Sequence, residues 1–545
     1  MENNQGLDHK IAANDVALEA PKTGLAGLKE NFKSDIVSGF MVFLLALPLS
    51  LGIAKASGFP AAMGVLTAMI GGLVATWFNV SALTIKGPAA GLITICAGAV
   101  AALGGDEGGW QVACAAIMVA AIIQVAFAYL KLGTLSDFFP LSAVHGMLAA
   151  IGITIITKQI PVLLGVDPSL YAGKSTFDLI GSIPLFIQAA KSQIVIIGML
   201  ALIIMFALPL IGINLLKKIP APMVVLMVAI PLGLYFDFKS TAPAYSLVTI
   251  GDFWGSLGFN FDFSLIGSMV FWKFVFMFLF VGTLESLLTV KATDNLDPYK
   301  RASNYNGDLK GLGIANFFSG LLGGLPMISE VVRSSANVDF GAKTKWSNLF
   351  HGIFLLIAML LLIPIIEMIP NAALAAMLIF AGYRLSAPKH FIHMAELGAE
   401  ELIIFVSTII ATLATDLLVG ILVGMLVNLL FHLYHGAKVN KMFKANYTIS
   451  QKDNSVYIAV EHSATFTNLI AFKKMMDDLP KKAHIHFDIT KADIIGHTFM
   501  AFLMQYQQDY NYRGGKFEIS GFETHRGISA HRLSTRILKK KNINL

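Results

Sequence analysis

The sequence predicts an α-helical polytopic membrane protein that ends in a small α/β domain. Of its 545 residues, 56% are hydrophobic and only 14% are charged, whereas an average soluble chain has about 25% charged residues. The apolar residues fall in blocks long enough to cross a bilayer, which takes about 20 helical residues. This composition argues against a soluble enzyme, a nucleic-acid-binding protein and a disordered chain.

The chain begins with a polar segment, residues 1–34, which lacks the apolar core and cleavage site of a signal peptide. A transmembrane domain follows over residues 35–437, with about fourteen apolar elements. The longer elements are residues 36–56, 61–78, 112–130, 143–164, 194–213, 223–236, 268–290, 349–366, 402–418 and 419–434. Shorter or interrupted elements lie at residues 88–103, 311–323, 328–338 and 372–383.

Loop charges predict the orientation. If the N-terminus is cytoplasmic, the outer loops hold only three basic residues, Lys174, Lys191 and Lys239. The inner loops then hold Lys131, Lys217, Lys218, Lys291, Lys300, Arg301, Lys310, Lys343, Lys345, Arg384 and Lys389. This asymmetry follows the positive-inside rule. We therefore expect a multi-pass protein of a bacterial-type inner (plasma) membrane, with both termini in the cytoplasm.

Residues 445–545 have the pattern of a separate cytoplasmic α/β domain. Short strands are predicted at residues 456–461, 484–489 and 516–522, and helices at residues 468–478 and 498–510. His484 and His486 share one face of a predicted strand, which we interpret as solvent exposure or packing. Cys96 and Cys114 lie in apolar stretches, so neither a disulfide framework nor a metal site is expected.

Two segments, residues 82–91 and 323–335, differ from ordinary spans. In each, a short apolar or Gly-rich run reaches a proline, Pro88 or Pro326, before a helix-compatible stretch. Pro88 lies 53 residues after Asp35, and Pro326 lies 58 residues after Ser268. Interrupted segments at matching positions of two halves indicate the midplane site of an inverted-repeat transporter. Half-helix N-termini favour an anion, although ordinary kinks would give a similar pattern.

At these residues the chain resembles the sulfate permease (SulP) family of anion transporters. The shared motifs are Gly87-Pro88-Ala89-Ala90 and residues 282–289, 311–316, 319–320, 323–326, 333 and 336–344. The resemblance implies a seven-plus-seven transmembrane inverted repeat with a core domain and a gate domain. It also implies a homodimer and a cytoplasmic STAS domain at the C-terminus.

The resemblance further implies a substrate anion held between half-helices near residues 88–103 and 328–338. The residues that it assigns to the anion are Lys86, Pro88, Ala89, Ala90, Ser329, Glu330, Val331 and Arg333. Those that it assigns to a coupling Na⁺ or H⁺ are Glu285, Thr289, Ser329 and Val331. A charge inside an apolar span costs about 2.5–3.5 kcal/mol or more, so Glu285 is expected to be functional.

Some roles stay open on the sequence. Family members commonly carry a small or hydroxyl residue at the position of Lys86, and a small residue at the position of Glu330. The two charged side chains could pair with each other. Glu330 could instead pair with Arg333, which itself could bond the anion or set the field of the pocket. In the C-terminal domain, Gly496 replaces the acid that precedes the phosphorylatable residue in related STAS domains, which argues against phosphorylation of Thr498.

We therefore expect secondary active transport of a small inorganic oxyanion, bicarbonate or sulfate, by alternating access with Na⁺ or H⁺ coupling. No cofactor is expected beyond a possible coupling Na⁺. The alternatives are an organic-anion or nucleobase transporter, an uncoupled anion channel, and a membrane anchor that signals through its C-terminal domain. Because no catalytic triad, metal motif or phosphate-binding loop has the context it needs, an enzyme is not expected.

Overall fold

The computed structural model describes residues 20–78, 81–105, 107–133, 138–210, 219–241, 247–452, 455–480 and 482–539. Within these ranges, six helices have the length and apolar composition needed to cross a membrane, accompanied by shorter apolar helices. The predicted polytopic helical architecture is thus confirmed. Parts of some predictions lie outside the described residues, namely residues 1–19, 211–213 and 540–545, Lys217 and Lys218.

In the described part of the first half of the chain, the helices longer than four residues are α1 (Gly24–Ala56), α2 (Ala61–Leu73), α3 (Ile93–Ala102), α4 (Gly109–Tyr129), α5 (Leu141–Leu164), α6 (Thr176–Gly181), α7 (Ile183–Gln188), α8 (Ser192–Ala207) and α9 (Ala221–Tyr235). Those of the second half are α10 (Met269–Leu296), α11 (Tyr305–Leu321), α12 (Val331–Asp339), α13 (Trp346–Leu361), α14 (Asn371–Ser386), α15 (Pro388–Leu397), α16 (Ala399–Ala414) and α17 (Leu417–Tyr434). Every predicted apolar element overlaps one of these helices.

The structure contains helical residues that hydropathy does not predict. Helix α1 begins at Gly24, inside the segment predicted as a polar N-terminal region, because Lys and Glu form helices as readily as most apolar residues do. Helix α15 was not predicted at all, since its apolar residues are interleaved with His, Lys and Glu. Hydropathy therefore located the apolar parts of the helices and missed their polar extensions.

The two interrupted segments form a pair of short strands that lead into short helices. Strand β1 (Lys86–Pro88) and strand β2 (Met327–Ser329) run antiparallel, with Lys86 opposite Ser329 and Pro88 opposite Met327. A 3-10 turn, Ala90–Leu92, then leads into α3, and β2 leads into α12. Pro88 does not start the helix as predicted. It ends the strand, a place that a residue without a backbone N–H can occupy.

The described residues divide into two compact units, one made of those within 20–133 and 219–374 together with 203–210, and the other of those within 138–202 and 375–539. Each unit combines segments from both halves of the chain. Both interrupted segments belong to the first unit. The site predicted from them is therefore described within that unit alone.

The C-terminal residues of the second unit fold as the predicted α/β domain. The strands are β3 (Tyr447–Lys452), β4 (Ser455–Ala464), β5 (His484–Ile495), β6 (Lys516–Ser520), β7 (His525–Gly527) and β8 (Arg536–Leu538), and the helices are α18 (Leu469–Asp477) and α19 (His497–Tyr512). Strands β4, β5 and β6 are parallel neighbours, and β3 pairs antiparallel with β4. The inward-facing residues of β4 and β5 pack against both helices in one apolar core, around Phe472, Phe487 and Phe499.

Candidate substrate site

Lys86 is a buried cation with two partners. Its side chain is 0% exposed, and Nζ lies 2.5 Å from Oδ2 of Asp308, in the first turn of α11. The same Nζ donates to Oγ of Ser329 across the β1–β2 pair. The suggested pairing of Lys86 with Glu330 is therefore wrong. Asp308 is not recognisable from the sequence as a site residue, because it precedes the apolar element predicted at residues 311–323, and an acid is common at the start of a helix.

The hydroxyl of Ser329 connects β2 to α10. It accepts from Lys86 and also from Oγ of Ser286, at 3.0 Å, while the backbone N–H of Ser329 donates to that same Ser286 oxygen at 3.0 Å. A serine hydroxyl has two acceptor positions, so both of those on Ser329 are used. Ser286 was not predicted as a site residue, although it is the neighbour of Glu285 in sequence.

Glu285 faces the start of the first half-helix. It lies in α10 with a buried side chain. A Cβ added to Gly91 would collide with both of its carboxylate oxygens, so the carboxylate rests directly on the 3-10 turn that precedes α3. Among the described residues, its Oε1 has no hydrogen-bond partner. Glu285 thus places a carboxylate at a helix N-terminus, the end that attracts negative charge.

The second half-helix carries an acid at the same place. Oε2 of Glu330 accepts from the backbone N–H of Arg333 at 2.7 Å, so Glu330 is the N-cap of α12. Val331, the first helical residue, is 38% exposed. Each half-helix therefore begins beside a carboxylate. One of them, Glu330, is engaged by its own helix, whereas Glu285 comes from a different helix.

Arg333 links the second interrupted segment to the first. Its side chain is 0% exposed, and Nη2 donates to Oγ of Ser50 on α1 at 3.2 Å. Its Nη1 lies so close to Gly87 of β1 that a Cβ there would collide with it. In the described residues, Nε and Nη1 of Arg333 make no hydrogen bond. The guanidinium thus lies against the backbone that leads into the first half-helix.

The remaining predicted site residues lie on the same segments. Pro88 and Ala89 are buried and Ala90 is half-buried, at the junction of β1 and α3. Thr289 is buried one turn after Glu285, and its carbonyl accepts from Thr293. The structure therefore brings together, around the paired strands β1 and β2 and the start of α3, the residues Lys86, Ser329, Glu285, Gly91 and Arg333. A role of Thr289 in ion binding stays a prediction.

Comparison with known proteins gives consistent matches. The profile of the Sulfate permease family matches residues 32–408. YvdB of Bacillus subtilis, provisionally named a sulfate transporter, is 26% identical over 388 residues, which are 70% of this chain and 69% of YvdB. The bicarbonate transporter BicA of Picosynechococcus is 26% identical over 363 residues, 65% of this chain and 61% of that protein. The curated relatives are thus matched over about two thirds of their length or less.

Solved structures share the fold. The transmembrane domain of a cyanobacterial bicarbonate transporter BicA superimposes with a TM-score of 0.62 at 22% identity, over 72% of this chain and 97% of that one. The overall structure of SLC26A9 gives a TM-score of 0.64 at 15% identity, over 91% of this chain and 85% of that one. The second match extends over most of the chain.

Proposed function

The chain belongs to the sulfate permease family, a family of transporters and not of enzymes, and on this premise we propose that it is a proton-coupled transporter of a small inorganic oxyanion. Bicarbonate and sulfate are the substrates named for its relatives. The observation that carries the proposal is the position of the Glu285 carboxylate on Gly91, at the N-terminus of the first half-helix.

This position couples the proton to the anion. An oxyanion drawn to the half-helix N-terminus would meet the ionised Glu285 carboxylate in a site of low dielectric, where like charges repel strongly. Protonation of Glu285 removes that repulsion, so the proton favours the anion. By linkage the anion favours the proton equally. The two are then carried together.

Coupling to Na⁺ has less support. The resemblance assigns Ser329 to the coupling cation, yet both acceptor positions of its hydroxyl are used by Lys86 and Ser286. A Na⁺ ion at this oxygen would have to displace either the Lys86 ammonium, which is held by Asp308, or the Ser286 hydroxyl. A proton on Glu285 needs no such rearrangement. Lys86 then serves as a fixed internal cation instead of a direct anion ligand.

The proposal includes alternating access in a homodimer, with both termini in the cytoplasm of a bacterial-type inner membrane. The elements of the site, β1, β2, α10 and α11, all belong to the first unit. Buried contacts of Lys86, Ser329 and Ser286 join them, so we expect them to move together. Alternating access then requires this unit to change its exposure from one side to the other. That motion is a consequence of the proposal.

Uptake into proteoliposomes tests the proposal. Labelled sulfate and labelled bicarbonate are offered with an inward proton gradient, an inward Na⁺ gradient, or none. We expect accumulation of one of these anions with the proton gradient only. Glu285→Gln should abolish accumulation and still exchange anion for anion. The matched control is Glu367→Gln, because Glu367 accepts two backbone N–H groups near residue 250, which a glutamine oxygen can also do.

The outcomes separate the parts of the proposal. Accumulation driven by Na⁺ alone, or by protons in Glu285→Gln, would refute proton coupling through Glu285. Flux that never exceeds equilibrium would indicate a channel. Transport of neither anion by the folded protein would contradict the substrate class and leave the membrane-anchor alternative.

A second candidate is transport of an organic anion or a nucleobase. The observation that favours it is the second acid, Glu330, at the start of α12, since two acids can accept hydrogen bonds from a substrate with N–H groups. Competition by uracil or a small carboxylate in the sulfate and bicarbonate assay distinguishes the two. We expect no competition, because Glu330 is already engaged by the backbone N–H of Arg333.

A further inference from the structure

The open face of the C-terminal sheet brings together two histidines and a glutamate. Strands β5 and β6 are parallel neighbours, with His484 opposite Lys516 and His486 opposite Glu518. Side chains two residues apart on a strand share a face, so His484, His486 and Glu518 all point away from the apolar core. The three side chains are 28%, 30% and 47% exposed, which leaves them accessible to a solute.

The nitrogen and oxygen atoms of this cluster converge. Nε2 of His484 lies 2.9 Å and Nδ1 of His486 lies 3.6 Å from the same oxygen, Oε2 of Glu518. One ligand atom from each residue falls within 4.8 Å of the others. Tetrahedral ligands at the usual zinc bond lengths are separated by about 3.4 Å, so small side-chain rotations would bring all three onto one ion.

Neighbouring groups hold two of these side chains in place. Nζ of Lys516 lies 2.7 Å from Oε1 of Glu518, which leaves Oε2 for the histidines. The ring of Tyr457 stacks on His486, with ring centroids 4.6 Å apart and planes inclined by 6°. Support of this kind from outside the ligand set is typical of metal sites.

We propose that His484, His486 and Glu518 bind a divalent transition-metal ion of the Zn²⁺ class on the C-terminal domain. Two imidazoles and one carboxylate suit Zn²⁺ and its neighbours Co²⁺, Ni²⁺ and Cu²⁺, whereas Mg²⁺ and Ca²⁺ prefer oxygen ligands. Three protein ligands leave a coordination position for water or for a group of another molecule. The sequence alone does not reveal this site, because Glu518 joins the histidines only through the pairing of β5 with β6.

Zinc titration of the full-length protein tests the site. The protein is purified in detergent without a polyhistidine tag, treated with a chelator and titrated with ZnCl₂ against a chromophoric zinc indicator. We expect one Zn²⁺ per chain that is lost in His484→Ala, His486→Ala and Glu518→Gln. The control is His462→Ala, because His462 lies on β4 beside Asp493, at 3.4 Å, and outside the cluster.

Cobalt supplies an independent readout. Co²⁺ bound by two nitrogens and an oxygen in a tetrahedral site gives visible absorption bands, which should appear in the wild type and in His462→Ala and disappear in the three ligand variants. The thermal unfolding midpoint without metal shows that each variant is folded. Zinc binding that is equal in the wild type and all ligand variants, or absent from the folded wild type, would overturn the proposal.

Discussion

Gly87 and Gly91 mark the places where charged side chains reach the backbone of the first interrupted segment. The guanidinium of Arg333 lies on Gly87, and the carboxylate of Glu285 lies on Gly91. Any side chain at either position would occupy the space of these groups, and glycine alone has none. The glycines on either side of Pro88 and Ala89 therefore position an arginine and an acid at the helix start.

Gly91→Ala tests the contact with Glu285. The new methyl group must displace the carboxylate, which sits at the end of a flexible side chain, so we expect a folded protein that has lost most of its gradient-driven uptake. The matched control is Gly98→Ala in the same half-helix, because a Cβ there lies 3.6 Å from the nearest atom, on Phe274. Wild-type uptake in Gly91→Ala would contradict a role for the carboxylate at that position.

The buried pair of Lys86 and Asp308 permits a second prediction. Removal of one partner leaves a buried charge uncompensated, which costs about 3–5 kcal/mol. We expect Lys86→Met and Asp308→Leu each to lower the free energy of unfolding by that amount, and the double variant to lose much less than the sum. Denaturation of the purified protein in mixed micelles measures all three.

The control for this cycle is an exposed ion pair. Lys22 and Glu30 lie 3.7 Å apart, with side chains 72% and 52% exposed, and exposed pairs of this kind contribute little to stability. Lys22→Met and Glu30→Leu should therefore be additive and nearly neutral. Additive losses at Lys86 and Asp308 would show that the two charges are independently solvated.

At the scale of elements, the C-terminal domain contacts the beginning of α5 within the second unit. The backbone N–H of Leu141, the first residue of α5, donates to Oγ1 of Thr498 at 3.1 Å. The carboxylate of Glu401 on α16 accepts from Ser142 at 2.5 Å and from Thr535 at 3.2 Å. Pro140, which precedes the helix, has no side-chain oxygen that could cap it. The hydroxyl of Thr498 therefore supplies the acceptor for the first N–H group of α5.

Gly496, which stands where the resemblance to STAS domains would place an acid, packs against His432. A Cβ at this position would lie 3.1 Å from Nε2 of His432 on α17, so any larger residue there would require the imidazole to shift. Thr498 is 7% exposed, and its hydroxyl is already engaged by Leu141. The structure therefore gives a physical reason for the expectation that Thr498 is not phosphorylated.

Thr498→Val tests the cap on α5. Valine keeps the shape of the threonine side chain and removes the hydroxyl acceptor. The stability of the first turn of α5 should therefore fall by about 1 kcal/mol, so that the turn opens more often. Hydrogen exchange of the peptide that contains residues 141–145 should be faster in Thr498→Val and normal in Thr498→Ser. Thr490→Val is the control, because Thr490 is exposed and its hydroxyl donates to the nearby Asp488, away from α5. Unchanged exchange in Thr498→Val would show that Leu141 finds another acceptor.

At the scale of the whole molecule, the sequence predicts what depends on local pattern. Apolar blocks located the membrane helices, and Pro88 and Pro326 located both breaks. Alternating strands and helices located the C-terminal domain. The partners of individual charges were not predictable, because they depend on which elements pack together. Asp308 meets Lys86 across 222 residues of sequence, and no local pattern of residues 300–310 indicates that contact.

Edge strands and the exposed faces of the C-terminal sheet were likewise not predictable from local sequence pattern. Strand β3 consists entirely of exposed residues, and its alternation of apolar and polar residues extends only from Tyr447 to Ser450, so it was not predicted. Glu518 reaches the two histidines of β5 only through parallel pairing with β6. The partners of a polar residue thus become known only from the tertiary structure, whereas the spacing of apolar residues in the sequence already predicts the helix or strand to which they belong.

The orientation of the whole chain rests on its few charges and can be tested directly. The two native cysteines are buried, with Cys96 1% and Cys114 0% exposed, so a membrane-impermeant maleimide should not label the wild type. If the charge asymmetry sets the topology, Lys239→Cys should be labelled on intact cells, because Lys239 belongs to a predicted outer loop. Lys22→Cys and Tyr512→Cys should be labelled only after permeabilisation, because both termini are predicted to be cytoplasmic. Labelling of both terminal variants on intact cells would show the opposite topology, and the proton gradient in the uptake assay would then have to be reversed. Labelling of only one would place the termini on opposite sides of the membrane and contradict the prediction.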